Sequence, residues 1–226
     1  MPSRNVVKEY VPNGYYHIYN RGVEKRLLFQ DQQDYSVFLG YLKEYLLPKD
    51  DDFLLKQLAI PNTPRDEKQK ILKILRLNNF SGTISLLAYC LMPNHFHFLI
   101  KQTTPLAIDQ LMNSMGTRYT MYFNRKYKRV GRLYQDVYKA VNVWRYEYLL
   151  QLSRYIHKQA IGVQGDPLFS QPCSYADYMG LKTSAWVKPG EILAYFSQRA
   201  PIEDYAQFVQ EQDDFERLKG LTLDED

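Results

Sequence analysis

The stretch from Ile84 to Lys101, ISLLAYCLMPNHFHFLIK, decides the fold. Its first part, Ile84–Leu91, is a nearly continuous apolar run, which is typical of a buried strand. Met92-Pro93-Asn94 interrupts that run, and alternating apolar and polar residues resume over His95–Lys101. We therefore predict two antiparallel strands joined as a hairpin.

Outward from this hairpin, residue periodicity predicts further strands and helices. They are a strand over Tyr15–Tyr19, a helix capped by Asp31 that runs to about Leu46, a helix over about Leu106–Tyr127, a strand over Asp136–Val143 and a helix over Arg145–Ala160. This order matches a ferredoxin-like (RRM-like) α+β plan, with one antiparallel sheet and helices on one face. The polar, proline-broken stretch at about 48–80 reads as an insertion with a short amphipathic helix. We thus expect a domain over 1–162 and a mainly helical C-terminal extension over 163–226.

Composition restricts the class of protein. The chain has 226 residues, of which 45% are hydrophobic and 24% charged, so a folded core is expected and disorder is not. No apolar run reaches the roughly 18 residues of a membrane span, and the first residues lack the apolar stretch of a signal peptide. Two cysteines, Cys90 and Cys173, cannot form a disulfide framework or a Cys-rich zinc site. We expect a cytoplasmic protein without a membrane partner.

Positive charge is concentrated in residues 117–140, whose net charge is +6 although the whole chain carries only +4. Tyrosines interleave with the cations there. Cations neutralise phosphates and aromatic rings stack on unpaired bases, so the stretch predicts a nucleic-acid-binding surface. A solvated helix end with inward-packing tyrosines would give the same pattern. The candidate DNA contacts are Arg118, Tyr122, Arg125, Lys126, Lys128, Arg129 and Arg132. The tail 202–226 carries −7, which favours a solvated helix or a competitor for the basic surface.

Two histidines fall on the second strand of the predicted hairpin. Alternation places His95 and His97 on one face, and Phe96 and Phe98 on the other. Neutral imidazoles a few ångströms apart can share a divalent metal, although two ordinary strand histidines are the alternative. His17, in the first strand, is either a group that supports this pair or a packed histidine.

A tyrosine on the last predicted helix is the candidate nucleophile. Tyr155 and Gln159 are four residues apart, so they lie on the same face of that helix. A tyrosine can attack phosphorus and form a phosphotyrosine when a metal or cationic clamp polarises the phosphate. The Gln159 carbonyl, one turn away, would complete a metal site begun by two histidines. Ordinary packing is the alternative for Tyr155, and His157, about 200° around the helix from it, should point away.

Four motifs in this order resemble those of one enzyme family, the IS200/IS605-like and REP-associated tyrosine transposases. The resemblance covers roughly residues 15–162. Its motifs are MPNHFHFLIK (Met92–Lys101), similar to the His-hydrophobic-His (HUH) motif; YHIYNRG (Tyr16–Gly22), similar to the first-strand signature; YFNRKYKR followed by GRLYQ; and RYIHKQ (Arg154–Gln159), similar to the helix that carries the single catalytic tyrosine (Y1).

The resemblance implies a function and a set of site residues. His95 and His97 would bind Mg²⁺ or Mn²⁺, Gln159 would be the third ligand and Tyr155 the nucleophile. Family members cut single-stranded DNA near hairpins, leaving a 5′-phosphotyrosine and a free 3′-OH. REP-associated relatives often have Asn-Pro where this chain has Gln159-Ala160, but glutamine keeps a carbonyl donor. The insertion and tail favour the longer REP-associated type, and both a homodimer acting in trans and a monomer acting in cis remain open.

Three hypotheses follow. The first is a metal-dependent single-strand DNA endonuclease and strand transferase. The second is a domesticated repeat-binding protein without cleavage, which would not need His95, His97 and Tyr155 together. The third, a His-x-His hydrolase of small phosphates, requires further ligands, and Asp109 and Asp136 show no such spacing. The chain has no GxxxxGK[ST] phosphate loop, consistent with a transfer that needs no ATP. The three residues together favour the first hypothesis.

Overall fold

The computed structural model describes residues 9–160 and 171–211, and in this part the chain forms one four-stranded antiparallel sheet with helices. Its strands lie in the order β2-β3-β1-β4, which is the ferredoxin-like order and confirms the predicted α+β plan. The elements are β1 (Tyr15–Arg21), a 3-10 turn (Val23–Lys25), α1 (Gln32–Leu46), α2 (Asp51–Leu58), α3 (Arg65–Leu75), β2 (Ile84–Met92), β3 (His95–Gln102), α4 (Ala107–Lys126), β4 (Lys139–Asn142), α5 (Tyr146–Lys158), α6 (Tyr175–Tyr178), α7 (Gly190–Leu193) and α8 (Pro201–Gln210).

Helices cover both faces of the sheet. The prediction of helices on one face holds for α1 and α4, which pack on the face that carries Ile18, Phe96 and Phe98. The opposite face, with Leu87 and Leu99, is covered by α5 together with the C-terminal extension. The extra layer exists because α5 is amphipathic and because the sheet is apolar on both sides. The face that carries the two histidines is therefore also a packed interior.

Two stretches differ from the sequence-based expectation. The insertion holds two helices, α2 and α3, rather than one, because the Asp50 carboxylate accepts a hydrogen bond from the Phe53 amide (2.8 Å) and caps α2. The last strand is shorter than the predicted Asp136–Val143. Before β4, the chain also pairs with the end of β1, where the Gln135 amide donates to the Arg21 carbonyl (2.9 Å). The residues between Gln135 and β4 therefore bulge out of the sheet.

The extension is joined to the sheet at the free edge of β2. The Leu91 amide donates to the Pro172 carbonyl (2.9 Å), and the Ser174 amide donates to the Tyr89 carbonyl (3.0 Å). The boundary predicted at residue 162 and most of the acidic tail lie outside the described residues. Within 9–160 and 171–211, no helix is long and apolar enough to cross a bilayer.

A buried carboxylate ties α1 to α4. Asp34 has a fully buried side chain that accepts hydrogen bonds from Tyr122 Oη (2.9 Å), Tyr127 Oη (2.7 Å) and Lys126 Nζ (2.7 Å), and from the Gln30 amide (2.8 Å). Burial by itself would raise the pKa of Asp34, but these donors outweigh it and lower the pKa below 3.8. The carboxylate is therefore a charged anchor between two helices.

We expect Asp34→Ala to lower the free energy of unfolding by about 3 kcal/mol, because it leaves two tyrosine hydroxyls without their acceptor and Lys126 with Asp31 as its remaining carboxylate partner. Since folding lowers the pKa, the stabilisation is complete above the ordinary value of 3.8 and is lost as the pH falls through the folded-state pKa. The gap between wild type and variant should thus stay constant from about pH 5 to 8 and narrow below about pH 4. Urea unfolding at several pH values measures it.

Asp66→Asn, an exposed carboxylate on α3, is the matched control and should change stability by less than about 0.5 kcal/mol. An Asp34→Ala protein as stable as this control would contradict the anchor.

Candidate functional site: a histidine cluster facing a buried tyrosine

The register between β1 and β3 assembles three histidines on one face of the sheet. Tyr19 pairs with His97, so His17, two residues earlier, shares the face of His97. His17 Nε2 lies 2.9 Å from His97 Nδ1 in a hydrogen bond. The rings of His95 and His97 follow at 4.9 Å between centroids. The sequence left the role of His17 open. The register between β1 and β3 places it in contact with His97.

Tyr155 reaches this cluster from α5. Its ring lies 5.5 Å from that of His97 and 6.3 Å from that of His17, edge-on to both. The tyrosine is only 2% exposed. A phenol and imidazoles from distant parts of the chain thus meet, which is the juxtaposition that the sequence hypothesis requires.

Neighbouring side chains engage the Nδ1 atom of each strand histidine, and for His95 the partner also selects the tautomer. Asn94 Oδ1 can only accept, so the 2.6 Å contact makes His95 Nδ1 the donor and leaves the lone pair on Nε2. The Nε2 of His97 is buried and has no hydrogen-bond partner. Its Nδ1 is engaged by His17. Asn94 and His17 therefore act as orienting groups behind the pair, as partners of metal-bound histidines commonly do.

The protonation state of His97 also suits a residue that binds a metal cation. Burial, and after it the neighbouring imidazoles of His17 and His95, hold the pKa of His97 well below its usual range. The ring is therefore neutral at physiological pH, as metal coordination requires. An orphaned buried nitrogen beside a second imidazole fits a divalent cation.

The remaining ligands would have to be of another type. Within the described part of the chain, no group of three or more His, Cys, Asp or Glu side chains is arranged to hold a metal. Gln159, the predicted third ligand, lies half-buried at the C-terminal cap of α5, one turn after Tyr155. Its backbone amide donates a hydrogen bond to the Tyr155 carbonyl (3.2 Å). Its role stays a prediction.

His157 lies away from this cluster, as its spacing on the helix predicts. Its Nδ1 contacts Tyr205 Oη (2.7 Å) and its Nε2 contacts Ser174 Oγ (2.8 Å), both in the extension. Burial lowers the pKa of His157 to about 3, so the ring is neutral. It joins α5 to the extension.

The predicted DNA contacts divide into two groups. Three are engaged inside the protein: Arg118 pairs with Glu44 (2.7 Å), and Lys126 and Tyr122 both bind Asp34. The others lie at the end of α4 and in the following loop. There, Arg129 donates to Asn124 Oδ1 (2.9 Å), whereas the side chains of Arg125, Lys128 and Arg132 are exposed and pair with no residue that the structure describes.

This loop lies at the same end of the sheet as His95. The Gly22 amide donates to the Asn94 carbonyl (2.8 Å) and the Val23 amide to the Leu133 carbonyl (2.9 Å), which joins three loops. The backbone there is crowded, because a Cβ on Gly22 would lie 2.1 Å from the Arg26 carbonyl oxygen.

Further cations from the β1 side, Arg21, Lys25 and Arg26, join this end of the sheet, although they lie far in sequence from the basic stretch 117–140. Burial and then the nearby Arg26 lower the pKa of the Arg129 guanidinium, as crowded like charges do. Glu24 and Asp136 are the acids closest in sequence. We call the set Arg21, Lys25, Arg26, Arg125, Lys128, Arg129 and Arg132 the cationic end.

Comparison with known families agrees with this geometry. Residues 63–159 match the family model described as "Transposase IS200 like", a range that runs from within the insertion to the residue after α5. It contains His95, His97, Tyr155 and Gln159, whereas β1 and His17 lie outside it. Over this range, less than half of the chain, the sequence is similar to the IS200-like transposases.

Two solved structures are also similar. A REP-associated tyrosine transposase bound to a REP hairpin has a TM-score of 0.41 and 9% identity, over 70% of this chain and 73% of that one. A candidate transposase from Deinococcus radiodurans has a TM-score of 0.27 and 18% identity, over 70% of this chain and 98% of the other. No curated protein matches the chain.

On the hypothesis that His95 and His97 bind a metal, Asn94→Ala should weaken Mn²⁺ binding about tenfold, because His95 loses the acceptor that fixes its tautomer and ring orientation. Titration calorimetry with Mn²⁺ measures the change. Asn78→Ala, which removes an amide bonded to Ser114 on α4, is the control. Equal affinities in the two variants would contradict an orienting role for Asn94.

Proposed function

We propose that this protein is a transposase that cuts and rejoins single-stranded DNA near hairpins, with Tyr155 as the nucleophile and Mg²⁺ or Mn²⁺ as the metal. His95 and His97 would hold the cation through Nε2, and Gln159 would supply a third ligand. The observation that carries the proposal is the packing of the Tyr155 ring 5.5 Å from that of His97. When bound, the cation polarises the scissile phosphate and stabilises the departing oxygen.

The reaction itself is an exchange of phosphodiester bonds. The Tyr155 phenol loses its proton and its oxygen bonds to phosphorus, while the bond from phosphorus to the 3′ oxygen breaks and that oxygen takes up a proton. The DNA is left with a free 3′-OH, and its 5′ phosphate is attached to the protein. Attack by a 3′-OH on this linkage reverses the step and joins strands. Because the phosphotyrosine linkage conserves the energy of the broken phosphodiester bond, no nucleoside triphosphate is needed.

The cationic end supports a DNA substrate. Exposed Arg125, Lys128 and Arg132 can neutralise phosphates, and they lie on the end of the sheet that carries His95. Arg118, Tyr122 and Lys126, whose polar groups are used within the protein, are weaker candidates for this contact.

The arrangement favours catalysis in cis. Tyr155 meets the histidines of its own chain, and α5 is fastened to the extension of the same chain through His157. We therefore propose that one chain contains a complete site, whether it acts as a monomer or within a homodimer.

The nucleophile is tested by covalent adduct formation. Labelled hairpin-bearing single strands, incubated with the protein and Mn²⁺, should give a protein–DNA adduct that survives denaturing electrophoresis. Tyr155→Phe should reduce the adduct at least a hundredfold while DNA binding persists, because the ring remains and only the attacking oxygen is lost. Tyr146→Phe, on the exposed first turn of the same helix, is the control and should keep full activity.

An adduct that persists in Tyr155→Phe would remove this residue from the mechanism. Binding without any adduct in the wild type would favour the non-cleaving repeat-binding protein instead. Mixing Tyr155→Phe with His95→Ala/His97→Ala separates the two modes, since only catalysis in trans restores the adduct.

The metal role is tested by the same double variant. We expect His95→Ala/His97→Ala to lose Mn²⁺ affinity at least a hundredfold in calorimetry, because both imidazole ligands are gone. His157→Gln is the control, since that ring faces the extension and not the cluster. Unchanged affinity in the double variant would place the metal elsewhere.

A further inference from the structure

A groove of about 710 Å³ lies on the opposite face of the sheet from the histidine cluster, between α4 and residues 132–138. We call it the α4 groove. Its floor is apolar and includes Phe38, Phe96, Met115 and Tyr134. Phe96 lies between His95 and His97 on β3, so the strand that presents the histidines on one face closes the groove on the other. Its size is typical of sites for small organic groups.

Polar side chains without partners line the α4 wall. Asn113, Thr117 and Thr120 face the groove along one side of the helix and form no hydrogen bond with any residue that the structure describes. Gly116 lies among them, and a Cβ there would have its nearest neighbour, Tyr134 Cε2, at 3.9 Å. Because Gly116 has no side chain, the surface of α4 is open beside these three polar side chains.

The α4 groove is lined by acidic side chains, and basic side chains lie around it. Asp109 and Asp136 line it, and both carboxylates accept hydrogen bonds from neighbours, Asp109 from Tyr138 Oη and Asp136 from the Val137 amide (2.8 Å). Among the exposed cations of the cationic end, Arg132 lines the groove, whereas Arg125 and Lys128 do not. A phosphate would therefore stay outside, and a group with amino donors would enter.

We propose that the α4 groove binds one unpaired nucleobase that carries an exocyclic amino group, with its phosphate at the cationic rim. A base has flat apolar faces for the aromatic and methionine floor, and polar edges for Asn113, Thr117 and the carboxylates. Adenine, cytosine and guanine present amino donors, whereas thymine does not. The proposal rests on the proposed function, since it assigns a second contact to the same DNA. The groove would make the enzyme select its substrate at a base distant from the cut.

The test scans a hairpin with a single-stranded flank, one position at a time. Each flank nucleotide is replaced by an abasic unit and then by thymidine, and Kd is measured by fluorescence anisotropy with the full chain. For the wild type, one position should lose about tenfold in affinity on either change, because base stacking and edge contacts are removed. Gly116→Leu, which fills the groove, should bind the intact DNA about tenfold more weakly and become insensitive at that position.

Gly116→Ala is the matched control, because a methyl group fits there at 3.9 Å from Tyr134 and is much smaller than a leucine side chain, and it should behave as the wild type. Should Gly116→Leu fail to fold, the double variant Asn113→Ala/Thr117→Ala makes the same test, with the exposed Gln110→Ala as its control. A wild-type profile with equal penalties at all positions, or a sensitive position unchanged by both groove variants, overturns the proposal even when adducts form. A wild type that neither binds nor cuts this DNA overturns the proposed function together with it.

Discussion

Alternation along β3, in fixed register with β1 and β2, is the constraint on which the site depends. Every second residue points to one face, so His95 and His97 lie under α5 while Phe96 and Phe98 lie under α1 and α4. A slip of one residue would exchange the two sets and put the imidazoles into an apolar core. The same register places His17 beside His97. One short strand thus supplies a polar site and a hydrophobic core at once, because its two faces are packed by different layers.

The outer layer holds Tyr155, the proposed nucleophile, in place. α5 lies between the sheet and the extension, and its two faces carry opposite roles, with Tyr155 toward the histidines and His157 toward Tyr205 and Ser174. Ser174 Oγ in turn accepts from the Tyr89 amide (2.8 Å) and so links the extension to β2. A helix bonded on both sides has little freedom to turn. The extension can therefore be understood as a support for the helix that carries Tyr155.

Local spacing was sufficient to predict some features and not others. The α1 boundaries, the hairpin and the pairing of Tyr155 with Gln159 on one helix face depend on residues close in sequence, where period and caps are informative. The contact of His17 with His97 depends on strand register between residues 80 positions apart, which periodicity does not contain. Lys126 reads as a DNA contact because its carboxylate partners, Asp31 and Asp34, belong to a different helix. Likewise, the bulge before β4 follows from pairing with β1 and not from its own residues.

The burial of Tyr155 has a consequence for the rate of the proposed reaction. A side chain with 2% of its surface exposed is out of reach of a phosphate that arrives from solvent. In the proposed reaction, a brief separation of α5 from the sheet, or a rotation of the phenol, would therefore have to precede bond exchange. Turnover would then be scaled by the small fraction of molecules that are open at any moment. Such a pre-equilibrium would also protect DNA that dissociates quickly, because the phenol would seldom be exposed while that DNA is bound.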